Sequence, residues 1–143
     1  LAFSRNGSML AAASDTYPIT IWNLTDLTRT IVLPGRGAAD ELAFADGDRV
    51  LLDSCTMSLA ARRVSDGRLE WELKEWGTLA ADGEFFLQRT AAGHFRFIEA
   101  GRGRAALSTE TILEERWCAF SADGRTVVGA LNLGGFFVYR VAR

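Results

Sequence analysis

A glycine that closes a turn signal recurs at positions 7, 47, 83 and 124, and a strand-like apolar run follows each at a fixed distance. The intervals between these glycines are 40, 36 and 41 residues. The fourth residue of the following run is Trp22, Arg62, Ile98 or Tyr139, 15 positions after its glycine in every copy. A chain with this register folds as a series of like units of about 40 residues, each too small to bury its apolar surface alone and each packed on its neighbours.

Each unit can be read as short strands. Asn6-Gly7, Asp46-Gly47, Asp82-Gly83 and Asp123-Gly124 are hairpin signals, because the turn needs residues that tolerate positive φ. The segments leading into them align as 1–7, 41–47, 76–83 and 117–124, with the second one residue shorter between Phe44 and Gly47. A second run follows each turn at 9–13, 50–52, 85–87 and 127–130, and a third at 19–24, 59–64, 95–100 and 136–141. A fourth run is visible at 30–33, 68–73 and 104–108 but not in the last copy. The chain therefore predicts strands a, b, c and d three times and then a, b and c, in units of approximately 1–36, 37–75, 76–110 and 111–143. Inner runs such as 9–13 are apolar continuously, which requires cover on both faces and favours small sheets stacked side by side. Helical periodicity is weak; the best candidate, 109–116, is short and lies in a connection. The expected fold class is all-β: four repeats of four-stranded antiparallel sheets arranged as β-propeller blades, the last incomplete. From its position within the alternating run Ile19-Thr20-Ile21-Trp22, Trp22 is expected in the core of the first blade.

At this point the residues resemble the WD40 family. Phe3-Ser4-Arg5-Asn6-Gly7 and Phe120-Ser121-Ala122-Asp123-Gly124 are similar to the Phe-Ser-Pro-Asp-Gly turn of its bacterial members, and Ile21-Trp22-Asn23-Leu24 resembles the Trp-Asp signature of strand c. The resemblance runs along essentially the whole chain, in degenerate form. The signature Trp is replaced by Arg62, Ile98 and Tyr139, and its Asp by Asn23, Arg63, Glu99 and Arg140. The Asp-His-Ser-Trp tetrad of the family is thus complete in no repeat. Another propeller family that shares the Asp-Gly turn, such as the TolB-like repeats, is the alternative. WD40-like propellers usually hold seven or eight blades with the last strand d supplied from before the first strand a. The resemblance therefore implies either a segment of a larger propeller or a chain that completes itself by association through its open ends.

Composition narrows the partners. Sixteen basic and 18 acidic residues give a formal charge of -2, and the charges are interspersed. Nucleic acid and anionic membrane both need a concentrated positive footprint, so neither is an expected partner. There is no apolar run of about 18 residues and no signal-peptide pattern, which leads to the expectation of a soluble, cytoplasmic protein. Cys55 and Cys118 are 63 positions apart, fit neither a zinc spacing nor a redox pair, and read as reduced core or near-core residues.

Groups able to carry chemistry are sparse. His94 is the only histidine, which excludes a multi-His metal site and leaves a Ser-His-Asp triad a single residue to rest on. The Asp-Gly pairs lack the alternating oxygen ligands of a calcium loop, and Gly101-Arg102-Gly103-Arg104 falls where a c–d turn is expected rather than before a helix. No catalytic residue, cofactor or metal is therefore expected. Trp76 and Trp117 each precede their turn glycine by 7 positions, and Asp40 holds that place in the second copy. The WD40 resemblance puts this position at the entry of strand a, on the top face near the central channel where partner peptides dock. The rival role for the two indoles is packing between blades. Tyr17 in the b–c connection, and Arg36 and Arg116 in d–a connections, would extend the same face. The function this implies is a non-catalytic scaffold for a protein or peptide partner. The alternatives are part of a propeller hydrolase or lyase whose catalytic residues lie outside this chain, and a structural docking or oligomerisation segment.

Overall fold

The computed structural model describes residues 1–27, 30–33, 39–55, 58–74, 77–80, 83–89, 95–108, 117–130 and 136–140, and among them it contains fifteen strands and no helix. The first sheet is β1 (Ala2–Phe3), β2 (Met9–Ala12), β3 (Thr20–Asn23) and β4 (Thr30–Val32). The second is β5 (Glu41–Ala45), β6 (Val50–Cys55), β7 (Ser58–Arg63) and β8 (Leu69–Leu73). The third is β9 (Gly77–Leu79), β10 (Phe85–Arg89), β11 (Phe95–Glu99) and β12 (Arg104–Ser108), and the fourth is β13 (Trp117–Phe120), β14 (Thr126–Ala130) and β15 (Phe136–Arg140). Strands follow sequence order in every sheet, and every pairing is antiparallel. The sheets fall into two compact units, residues Leu1–Trp76 and Gly77–Arg143, with two sheets in each.

The first and fourth a–b hairpins explain why these two copies carry Ser-x-Asx-Gly. In the first, the Ser4 hydroxyl accepts from the Met9 amide at 2.8 Å and donates to Asn6 Oδ1 at 2.9 Å, while the Ser8 amide donates to the same Oδ1. In the fourth, Ser121 accepts from the Thr126 amide at 2.9 Å and donates to Asp123 Oδ1 at 2.5 Å, and the Arg125 amide donates to that oxygen at 3.0 Å. The Ser121 hydroxyl, followed by the Arg125 amide, holds the Asp123 carboxyl below the usual carboxylate range. Gly7 closes its turn at φ 71°, and an added Cβ there would meet nothing within 4 Å. Gly7→Ala therefore carries only the left-handed backbone penalty and is expected to cost about 1 to 2 kcal/mol. The check is a lower urea midpoint with an unchanged slope.

The second hairpin accommodates its missing residue by a run of positive φ at Asp46 (50°), Gly47 (63°) and Asp48 (67°). Arg49 pairs with Asp46 across that turn. The Asp48 carboxylate accepts from the amides of Arg5 (2.8 Å) and Asn6 (3.3 Å), which ties the second turn to the first. The strands beyond keep the common register. Phe3, Phe44, Leu79 and Phe120 pair with Leu10, Leu51, Phe86 and Val127, and these pair in turn with Trp22, Arg62, Ile98 and Tyr139.

Directly paired residues share a face, so each sheet has two defined faces. In the first unit Ala11 and Ile21, with Ile19 and Leu33, pack against Phe44, Leu51 and Val64 in one apolar core. In the second unit Phe97 is fully buried, with its ring edge-to-face against Phe120 and Tyr139 at centroid distances of 6.4 and 6.3 Å. Trp22 departs from the expectation that it fills the first core. It is half-buried, on the face it shares with Phe3 and Leu10, opposite Ile19 and Ile21. Alternation along the strand puts Ile and Trp on different faces, and the core of this unit forms on the isoleucine side.

Candidate functional site

Antiparallel order places the b–c and d–a connections of each sheet at one end and the a–b and c–d turns at the other. The end where strand a begins is the candidate binding end. In the first unit its base is well fixed. Ile19 and Leu33, at the roots of the b–c and d–a connections, are 1% exposed, and the Leu33 amide donates to the Ile19 carbonyl at 2.9 Å. Above that base the connection turns outward. Ser14, Asp15, Thr16, Tyr17 and Pro18 are all exposed, with Tyr17 at 72% and its amide donating to Ser14 Oγ at 3.0 Å. An exposed phenol on a connection whose backbone is held by such a hydrogen bond suits contact with a partner, because less order has to be gained on binding.

Asp40 is exposed immediately before β5, where its amide donates to the Ser54 carbonyl at 2.7 Å. Glu41 beside it is also exposed. The b–c connection of the second sheet reaches the same end, with Cys55 half-buried and its Sγ 3.2 Å from Ser58 Oγ. In the second unit Trp117 opens β13 opposite Ala130, but its side chain lies outside the described residues. Trp76, Arg36 and Arg116 also lie outside them, as does His94. Tyr17 and Asp40 therefore share one end of the first unit, while the other four residues expected there have no described side chain.

Among the described residues no three His, Cys, Asp or Glu side chains are grouped so as to hold a metal ion. The turn carboxylates that could suggest calcium bind turn residues instead: Asp46 holds Arg49 and Asp123 holds Ser121 and the Arg125 amide within their own hairpins, and Asp48 holds the amides of Arg5 and Asn6 in the first turn. Gly103 stands at φ 62° in the c–d turn, and Arg102 pairs with Glu99 at 3.3 Å. Among the described residues, Asp53 and Arg62 form an acid–base pair removed from the surface. Asp53 is 1% exposed and its Oδ2 lies 3.0 Å from Arg62 Nε. Sequence reading missed it. The signal was there in two parts: an aspartate inside an apolar inner strand, and an arginine in the slot of the signature Trp.

The sequence matches no family model and no curated protein. Among solved structures, the C-terminal WD40 domain of Sif2 is similar over 97% of this chain, with a TM-score of 0.68 and 11% identity. The four sheets are WD40-like propeller blades. This chain spans 42% of the length of that solved chain, and at such low identity the likeness concerns the fold alone. By that likeness β1, β5, β9 and β13 correspond to strand a of a WD40-like blade, and the end bearing Tyr17 and Asp40 is the one at which strand a enters. Blades of this kind support both binding and catalysis, so function has to be argued from the side chains they present.

Proposed function

We propose that this chain is part of a non-catalytic interaction scaffold that takes a protein or peptide partner on the strand-a entry end of its blades. The observation that carries the reading is Tyr17, an aromatic side chain left exposed on a connection whose roots at Ile19 and Leu33 are buried. Tyrosine offers a large contact area with only two side-chain torsions to freeze, which makes it a frequent anchor at interfaces. Asp40 would add charge beside it. The same reading assigns Trp76 and Trp117 to further anchor positions, with Arg36 and Arg116 at the rim.

A randomised peptide library displayed on phage and panned against the immobilised chain tests this. The expected result is an enriched sequence whose affinity falls roughly 30-fold, about 2 kcal/mol, in Tyr17→Ala or Trp117→Ala, with the melting temperature of the Tyr17 variant unchanged. Failure to enrich any sequence would count against the scaffold reading. An enriched sequence indifferent to Tyr17, Trp76 and Trp117 would place the binding surface elsewhere. If Trp117→Ala lowers stability by about 3 to 5 kcal/mol and its binding loss tracks unfolding, that indole is a packing residue.

A further inference from the structure

Gln88, near the end of β10 in the third blade, is 3% exposed, and among the described residues no group hydrogen-bonds to its side-chain amide. A buried polar group left without a partner is costly and uncommon, and it calls for a partner from outside the fold. The neighbouring repeat shows the same position satisfied. Gln88 stands two residues after Phe86, as Asp53 stands two after Leu51, and Phe86 and Leu51 pair with Ile98 and Arg62. In the second blade Arg62 Nε donates to Asp53 Oδ2 at 3.0 Å. In the third, Ile98 fills the slot of Arg62, and its side chain offers nothing to bond.

What faces the amide instead is a cation. Arg96 lies directly opposite Gln88 on β11, so the two side chains leave the sheet on one face, with their Cβ atoms about 4.5 to 5.5 Å apart. Arg96 is exposed, and among the described residues no carboxylate pairs with it. The corresponding residues of the other blades are Thr20, Ala60 and Phe137, so a cation stands here in the third blade alone. On its other side Gln88 is opposite Gly77, the first residue of β9, which contributes no side chain to the row. The row therefore lies at the strand-a entry end of this sheet.

We propose that Gln88 and Arg96 bind a carboxylate at the strand-a entry end of the third blade, and that the peptide partner carries it. The donors match: the Arg96 guanidinium presents parallel N–H groups to the two carboxylate oxygens, and the Gln88 amide donates to one of them. A phosphate carries more charge than one guanidinium offsets. Phe86 and Ile98, the next residues on the same face, are 0% and 3% exposed, so apolar side chains border the amide and a charge-assisted bond there is strengthened by the exclusion of water. Assigning the carboxylate to a peptide rests on the scaffold reading; the site itself does not.

Nuclear magnetic resonance of the isotopically labelled 143-residue chain reads such binding at the amides themselves. The probes are N-acetylglutamate N-methylamide, with a side-chain carboxylate alone, and N-acetylalanine, with a terminal carboxylate alone. A saturable shift of the Gln88 side-chain amide is expected with at least one of them, and the tighter binder identifies the source of the carboxylate. The uncharged N-acetylglutamine N-methylamide should cause none. Arg96→Ala, at an exposed position, should weaken binding roughly 10-fold or more with an unchanged circular dichroism spectrum. Gln88→Met should abolish binding and leave the melting temperature equal or higher, because it removes an unsatisfied amide. A Gln88→Met variant that melts markedly lower shows that the amide is bonded within the fold and overturns the proposal. So do the absence of a shift with both acids, an equal shift with the glutamine analogue, binding indifferent to Arg96→Ala, and tighter binding of inorganic phosphate. These probes need no peptide, so their failure leaves the Tyr17 reading standing, and failure of the peptide panning leaves this site to be read on its own.

Discussion

Phe97→Ala is expected to lower stability by about 3 to 5 kcal/mol, the upper range for a fully buried aromatic. Phe97 is 0% exposed on β11, paired with Leu87 on one side and Leu107 on the other. Its ring meets Phe120 at an interplanar angle of 88° and Tyr139 at 69°, so one truncation removes two edge-to-face contacts between the third and fourth blades. Phe97→Leu keeps most of the volume but neither ring contact, and its loss should be clearly smaller. Equilibrium urea unfolding measures both. Hydrogen exchange locates the effect: amides of β10, β11 and β14 should lose protection while those of β2 and β3 in the first unit keep theirs. A loss below about 1 kcal/mol for the alanine variant would show that Phe97 is not a centre of packing between these blades.

How much of this was legible in the sequence depends on whether the determining contacts are local. The blade register was, because an Asx-Gly turn and a two-residue alternation act within a dozen positions. The shortened second hairpin was visible only as a missing residue. What makes up for it, positive φ at both Asp46 and Asp48, depends on the turn conformation rather than on a spacing. Face assignment is where local pattern gives out. Alternation separates Ile19 and Ile21 from Thr20 and Trp22, yet both faces of a blade are candidates for burial, so the pattern alone did not say that the core would form around the isoleucines rather than Trp22. Tyr17 could be placed on a connection from sequence, and in the structure it is exposed while Ile19, just beyond Pro18, is buried. The Asp53–Arg62 contact joins neighbouring strands diagonally and is set by which face of β6 is covered, which no periodicity specifies.

That pair supplies the other large effect. Asp53→Ala is expected to cost about 3 to 5 kcal/mol, because the change leaves the Arg62 guanidinium, whose side chain is 11% exposed, facing a site that no longer carries its counter-charge. At roughly 2 to 4 °C per kcal/mol for a chain of this size, the melting temperature should fall by about 6 to 20 °C. That face carries Leu42, Phe44, Leu51 and Ala60, with Glu72 opposite Ala60 on β8, so the two charges sit in a largely apolar surround. It follows that the cost belongs to the unpaired charge rather than to a net gain from the ion pair. Replacing both partners with apolar side chains, as Asp53→Val with Arg62→Leu, should therefore recover most of the loss and could exceed the parent, as buried pairs often do when exchanged for packed hydrophobic groups. A double-mutant cycle from urea midpoints gives the coupling, expected at 2 kcal/mol or more on this argument, toward the upper end of about 0.5–3 kcal/mol for residues in contact. If Asp53→Ala costs less than about 1 kcal/mol, or if the double variant is no better than either single one, the pair is effectively solvated and Arg62 occupies the signature Trp slot without needing a partner.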